Sequence, residues 1–263
     1  MKTAIIGVGA MGGAIVEGML SIPGNTPSDI TIADPSQAAL ERFANTGVNI
    51  AGDNAAAASA ADLVVVVVKP WLVERVLSGI KPALDLSRQI LVIIAAGISS
   101  QQAITWLDKG DGFTPRFLLA IPNTAIAVRE SMTFVVPVGT DADDTKTVTD
   151  LFDSLGQCIV TEERLLAAGT TLASCGIAYA MRYIRAATEG GVEIGFKAHD
   201  AQQIVQQTVK GAVALLQATG NHPEAEIDKV TTPGGVTIKG LNEMEHAGFT
   251  SPVIRGLKAG MKS

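Results

Sequence analysis

Two glycine-rich segments hold most of the residues whose types and spacing could do chemistry. The first, Gly7-Val8-Gly9-Ala10-Met11-Gly12, has the spacing G-x-G-x-x-G. It follows a short apolar run, Thr3 to Ile6, and opens a helical pattern. In that setting the spacing cradles a dinucleotide pyrophosphate. Gly7 permits the tight turn, Gly9 lets the backbone approach the phosphates, and Gly12 lets helix and strand pack closely. The helix N-terminus adds amides and a partial positive charge. The second segment is DKVTTPGGVTIKGLNEMEHAG, residues 228–248. Thr232 reads as a helix cap with Pro233 in the first helical position. Gly234 and Gly235 leave backbone amides uncovered, and Thr231, Thr232 and Thr237 add hydroxyls, which together suit a small carboxylate. Each glycine weakens a helix by about 1 kcal/mol. Something therefore approaches this backbone closely, either a ligand or a neighbouring helix.

Other polar residues carry weaker signals. Asp34 ends the second strand roughly 20 residues beyond Gly12, where a carboxylate accepts hydrogen bonds from the adenosine ribose. It would repel the 2′-phosphate of NADP, so NADH should be at least tolerated. Asp34 before Pro35 also fits a helix cap. Val67-Val68-Lys69-Pro70 ends the central strand, where ligands bind in open parallel sheets. Lys69 there is either near a phosphate or nicotinamide ribose, or simply solvated. Ala95-Ala96-Gly97 ends the next strand, and its small side chains admit a flat nicotinamide or merely close sheet packing. His199, His222 and His246 fall at a helix start, in a loop and near a helix C-terminus, all ordinary surface positions. Cys158 and Cys175 make no disulfide framework, which fits a reducing cytoplasm. Core packing is the expected role of Cys175.

The elements that position these residues follow from patterning. Strands are expected at 3–6, 30–35, 48–51, 62–70, 90–97, 117–123, 132–139 and 157–161. Residues 62–70 read DLVVVVVKP, apolar on both faces, as in a central parallel strand covered by helices. Strands alternating with helix-length segments imply a doubly wound α/β sheet of Rossmann type. After residue 161 no convincing strand follows. The chain thus divides into a dinucleotide-binding domain, 1–161, and an all-α domain, 162–263, for dimerisation and substrate. Glu163 to Glu189 reads as one helix of about 40 Å, ended by Gly190-Gly191. His199 or Asp200 caps the next, which runs to about Thr219, and a last long helix runs from Thr232-Pro233 to Gly248. So long a helix in about a hundred residues implies packing against a second copy in an intertwined dimer.

Composition narrows the classes. The chain has 263 residues, 47% hydrophobic and 17% charged, which is enough to bury a core. A net charge of −6 without any basic tract argues against nucleic acid. The apolar run Leu63 to Val68 is too short to span a bilayer. The early first strand leaves no room for a signal peptide, so a cytoplasmic protein is expected.

VTTPGGVTIKGLNEME resembles the C-terminal signature of the pyrroline-5-carboxylate reductases. The likeness spans essentially the whole chain, through GVGAMGGAIVEGML, Asp53-Asn54, VVKPW, AAGIS, IPNTAIAV and QQTVKGA. The resemblance implies reduction of L-1-pyrroline-5-carboxylate to L-proline with NADPH or NADH, in an interleaved homodimer, itself often part of a larger ring. It places the pyrophosphate on residues 7–12, and Asn54 with Val67, Val68, Lys69 and Pro70 along the cofactor. Ala95, Ala96, Gly97 and Pro122-Asn123-Thr124 would border the nicotinamide. Thr232, Gly234, Gly235 and Val236 would hold the substrate, with Thr237 near the imine nitrogen. No metal is called for. A protonated cyclic imine is a strong hydride acceptor, so the reaction needs positioning more than a dedicated acid or base.

The chain departs from the family's Ser-Gly-Ser-Gly-Pro-Ala-Tyr run, reading Ala173-Ser174-Cys175-Gly176-Ile177-Ala178-Tyr179. Ala125 stands where a proline is usual and Ser131 where a glycine is common. Three alternatives follow: a same-fold reductase of another imine or keto acid, a 3-hydroxyacid dehydrogenase, or a non-catalytic nucleotide-binding relative. The dehydrogenase would need a lysine and an asparagine on the interdomain helix, and residues 165–188 contain neither.

Overall fold

The computed structural model describes residues 1–261 and divides into two compact units, residues 1–177 and residue 178 onward. The first is built on an eight-stranded sheet: β1 (Thr3–Ile6), β2 (Ile30–Ala33), β3 (Asn49–Ile50), β4 (Leu63–Val66), β5 (Ile90–Ile93), β6 (Phe117–Ile121), β7 (Ser131–Val138) and β8 (Gly156–Val160). The spatial order is β3-β2-β1-β4-β5-β6-β7-β8. All neighbours are parallel except β6 and β7. Each expected strand is present, several ending sooner because the chain turns away at the ligand edge.

Residues of one strand alternate between two cores. Ile6, Val64, Val66, Leu91 and Phe117 pack in one layer, which also takes in Ala57 of α3 (Asn54–Ser59) and Leu77 of α4 (Val73–Ile80). Ile5, Leu63, Val65, Val92 and Leu118 face the other layer, where Ile15 of α1 (Ala10–Leu20) and Phe152 of α6 (Ala142–Ser154) cover them. The remaining helices of this unit are α2 (Gln37–Glu41), α5 (Ser100–Leu107) and the short α7 (Leu166–Gly169). Helices on both faces explain why the central strands are apolar throughout.

Gln89, just before β5, is fully buried. Its Nε2 donates to Ala58 O (2.7 Å) and Ala61 O (2.6 Å), while Oε1 accepts from Asp85 N (2.7 Å). Gln89→Leu would leave Asp85 N and Ala61 O without these partners and Ala58 O with only the Ala61 amide at 3.4 Å. It is expected to cost about 3 kcal/mol or more, read as a lower denaturant midpoint at unchanged slope.

The stretch after β8 is not the single helix expected at 163–189. It runs as a 3-10 turn (Glu163–Leu165), α7, a π-helical turn (Thr170–Ser174) and α8 (Gly176–Glu193). The sheet-bearing unit accordingly continues past residue 161, with Leu166 in its core. The π turn is closed by Cys175 N–H donating to Thr170 O at 2.9 Å. Both of its ends are held. A Cβ on Gly169 would lie 2.8 Å from the Phe134 ring, and Ser174 Oγ donates to Pro122 O at 2.9 Å. The wider turn accommodates both anchors.

The second unit is helical: most of α8, then α9 (Ala198–Thr219), α10 (Pro223–Lys229), α11 (Val236–His246) and α12 (Thr250–Gly260). Gly190-Gly191 does not end α8. A Cβ on Gly191 would sit 2.9 Å from Ala201 Cβ, so the glycine serves close contact between α8 and α9. The chain reverses at Gly195, whose φ is +109°. The α9 cap is Lys197, slightly earlier than expected. The helix expected to end at Gly248 is α11, which starts later than expected, at Val236, and stops before Gly248 with its φ of +85°; α12 follows as a further helix that the sequence reading did not include. Among the described residues from 178 on, Ala201 alone is buried, while Ile194 is 78% and Val236 85% exposed. No described helix is long and apolar enough to cross a membrane.

Candidate functional site

The strand order reverses between β1 and β4, and a crevice of about 800 Å3 opens there at the carboxyl ends of β1, β4, β5 and β6. The glycine loop forms its middle. Gly7 has φ +94°, and a Cβ there would lie 2.3 Å from Val67 O. A Cβ on Gly12 would lie 1.8 Å from Gly7 O. Both positions are closed by the protein itself. Gly9 differs, since nothing lies within 4 Å of its would-be Cβ. It is also the N-cap of α1, which has neither a capping side chain nor an acidic residue in its first turn. The positive end of α1 thus faces open space, with no side chain on Gly9 to cover it. This arrangement fits a pyrophosphate.

Asp34 lines the crevice, but neither sequence reading describes its carboxylate fully. Oδ2 accepts from Val8 N and Oδ1 from Ser36 N, both at 2.8 Å. The helix cap is Ser36, whose Oγ accepts from Ala39 N. Asp34 therefore ties the glycine loop to the end of β2 and still presents negative charge to the crevice. Arg42 is drawn away from it. Its Nη2 pairs with Glu17 at 2.8 Å, and its guanidinium stands 5.3 Å from the Phe43 ring centroid.

Gly7, Gly9, Ala10 and Met11 line the crevice, as do Asn54, Val67, Val68, Lys69, Pro70, Ala95 and Ala96. Four residues expected beside the cofactor do not. Val8 is buried behind the loop, its amide spent on Asp34. Gly12 packs beneath Gly7. Gly97 turns the chain away at φ +78°. Asn123 is buried: its Oδ1 accepts from Ala125 N, its Nδ2 donates to Ala173 O, and its backbone amide donates to Ser131 Oγ. Ser131 Oγ in turn lies 3.1 Å from Thr133 Oγ1. The hydroxyl at Ser131 thus has work to do inside the sheet.

Sequence reasoning missed Arg75, Thr170 and Ser174, which also line the crevice. Arg75 was visible only as one charge on a helix. Thr170 and Ser174 reach the crevice through the π turn, which has no sequence signal. Burial, with Asp153 nearby, pushes the Cys158 thiol up to about 12, which disfavours the thiolate.

The second glycine-rich segment lies in the helical unit. Gly235 N–H donates to Thr232 O at 3.0 Å, and Gly234 has φ +70°. This is a type II turn with Pro233 and Gly234 at its centre, not the first turn of a helix. The cap is Gly235, with no side chain bonded over the end of α11. A Cβ on Gly235 would meet Thr232 Oγ1 at 2.4 Å, so a side chain there would push the Thr232 hydroxyl aside. Val236 and Thr237 open α11, and the uncapped helix start remains a fitting cradle for a carboxylate.

Residues 163–263 match the family described as pyrroline-5-carboxylate reductase dimerisation, and residues 2–97 match NADP oxidoreductase coenzyme F420-dependent. The chain is 36% identical to pyrroline-5-carboxylate reductase 1 of Dictyostelium discoideum over 97% of its own length and 47% of that relative's. It therefore spans about half of that longer protein. With pyrroline-5-carboxylate reductase 2 of the same organism it shares 35% identity, covering 97% of this chain and 89% of the relative. The crystal structure of Plasmodium falciparum pyrroline carboxylate reductase with NADP bound superposes with a TM-score of 0.89 at 26% identity, covering 100% of this chain and 96% of that one.

Proposed function

The chain belongs to the pyrroline-5-carboxylate reductase family, and from that premise we propose that it reduces L-1-pyrroline-5-carboxylate to L-proline with NADPH or NADH. The observation that carries the reading is the open space over Gly9 beside the uncapped start of α1, at the reversal point of the sheet. When bound, the reduced nicotinamide supplies the hydride. The chain's own residues bind and align. Gly9, Ala10 and Met11 receive the pyrophosphate, Asp34 faces the adenosine ribose, and Ala95 and Ala96 give a flat wall for the nicotinamide. Residues 1–161 bind the dinucleotide, and 162–263 supply dimerisation and the substrate cradle. There Thr232, Gly234, Gly235 and Val236 hold the carboxylate, and the Thr237 hydroxyl bonds the imine nitrogen. We place the enzyme in the cytoplasm as a homodimer. The family's dimerisation segment and the exposed apolar faces of α8 and α9 support that assembly.

Asp34 adds a preference. At the end of β2 its carboxylate would repel a 2′-phosphate, and Arg42 pairs with Glu17, so we expect NADH to be the better donor. The test follows the absorbance of reduced nicotinamide with pyrroline-5-carboxylate, using cyclohexanone and 3-keto acids as controls. Saturable oxidation with the pyrroline alone, faster with NADH, is the expected result. Cofactor binding without turnover of the pyrroline would overturn the substrate, and faster turnover with NADPH would overturn the preference.

A further inference from the structure

Two walls of the crevice are joined by one side chain that touches neither ligand site. Glu163 opens the 3-10 turn after β8. Its Oε1 accepts from Ser100 N at 2.8 Å, and its Oε2 accepts from Ser100 Oγ at 2.5 Å. Ser100 is the first residue of α5, capped by Ser99 in a capping box with Gln102. An amide in the first turn of a helix has no partner within the helix. A carboxylate from elsewhere in the chain satisfies this one and complements the helix dipole.

The two ends of the clamp lead to opposite walls. Upstream of Ser100 the loop climbs through Gly97 to Ala96 and Ala95, which line the crevice. Downstream of Glu163 the chain passes Leu166 in the core and reaches Thr170 and Ser174, which also line it. Both walls stand on the β5–β6 side, away from Asp34, where the nicotinamide must lie if Asp34 faces the adenosine.

We infer that Glu163 is a positioning residue for hydride transfer: by clamping the start of α5 to the connector that carries the π turn, it fixes the width of the nicotinamide end of the crevice. The inference rests on the cofactor assignment above, and not on the identity of the imine. Displacing a reacting ring by about 1 Å costs on the order of 100-fold in rate. The adenosine and pyrophosphate contacts lie elsewhere and should keep most of the affinity.

The test uses the full chain with NADH alone, then with substrate. Glu163→Ala should bind NADH within about threefold of wild type, lose the fluorescence enhancement of the bound nicotinamide, and lower kcat tenfold or more. Glu163→Gln should restore both readouts, because its amide oxygen accepts from Ser100 N and its amide nitrogen donates to Ser100 Oγ. Ser100→Ala, which removes the hydroxyl arm alone, should fall between. A wild-type bound spectrum in Glu163→Ala would overturn the inference, as would Gln and Ala variants that behave alike. Should Glu163→Ala not fold, a wild-type spectrum in Ser100→Ala would overturn it equally. The spectrum is read without substrate, so a wrong imine would show separately, as absent turnover in the wild type. A wild type that fails to bind NADH would instead overturn the cofactor assignment.

Discussion

Gly9→Ala is expected to fold normally and to bind NADH about 10- to 100-fold more weakly, equivalent to losing one or two charge-assisted hydrogen bonds. Gly9 has φ −64°, not the left-handed region that only glycine favours, and nothing lies within 4 Å of the added methyl. The methyl would meet only the phosphates. Gly12→Ala should behave oppositely. Its methyl would lie 1.8 Å from Gly7 O, a backbone atom that cannot swing aside. Overpacking of this kind should cost about 3 kcal/mol or more and be seen first in the melting temperature. Fluorescence titration paired with thermal unfolding separates the two cases. Wild-type affinity in Gly9→Ala would show that the pyrophosphate does not cross this loop.

Thr237→Ala carries the second large expected effect. Thr237 is half-buried in the first turn of α11, beside a helix start that no side chain caps. In the proposed reaction a hydroxyl there would hydrogen-bond a polar group of the substrate. Its removal should lower kcat about 10- to 100-fold, the loss of a hydrogen bond to a group bearing charge. NADH affinity should stay as it was, because the cofactor residues belong to the other unit. Thr237→Ser, which keeps the hydroxyl, should recover most of the rate. Parallel losses of turnover and cofactor affinity would show that the residue acts through the fold.

The centre of the sheet was legible because its strands β1, β4 and β6 are buried on both faces. The run Leu63 to Val68 is too short for a buried helix and all but one of its residues are β-branched, which marks a central strand. Helix ends were less legible, since one residue pattern serves two geometries. Thr232-Pro233-Gly234-Gly235 satisfies the rules for a helix start and for a type II turn, and the positive φ of Gly234 decides for the turn. Gly190-Gly191 reads as a terminator, yet it lies within α8, where a glycine gives α9 room. The candidate site was half legible. The glycine loop announces itself, whereas the partners of Asp34 and Glu163 depend on tertiary register. Val8 is 26 residues from Asp34 and Ser100 is 63 from Glu163, so no local pattern links them.

The nearly coreless helical unit has a thermodynamic consequence. A segment that buries Ala201 and leaves Ile194 and Val236 in water gains little free energy by folding as one chain. Its order then becomes a matter of mass action: whatever stability it has is shared with the copy that covers it and varies with how much protein is present. For a two-chain assembly, each tenfold dilution removes about 1.4 kcal/mol from that stability. Dilution would therefore loosen the segment carrying Thr237 before it disturbed the eight-stranded sheet. Catalytic competence and abundance are thus coupled in this chain, and the nucleotide crevice would outlast both.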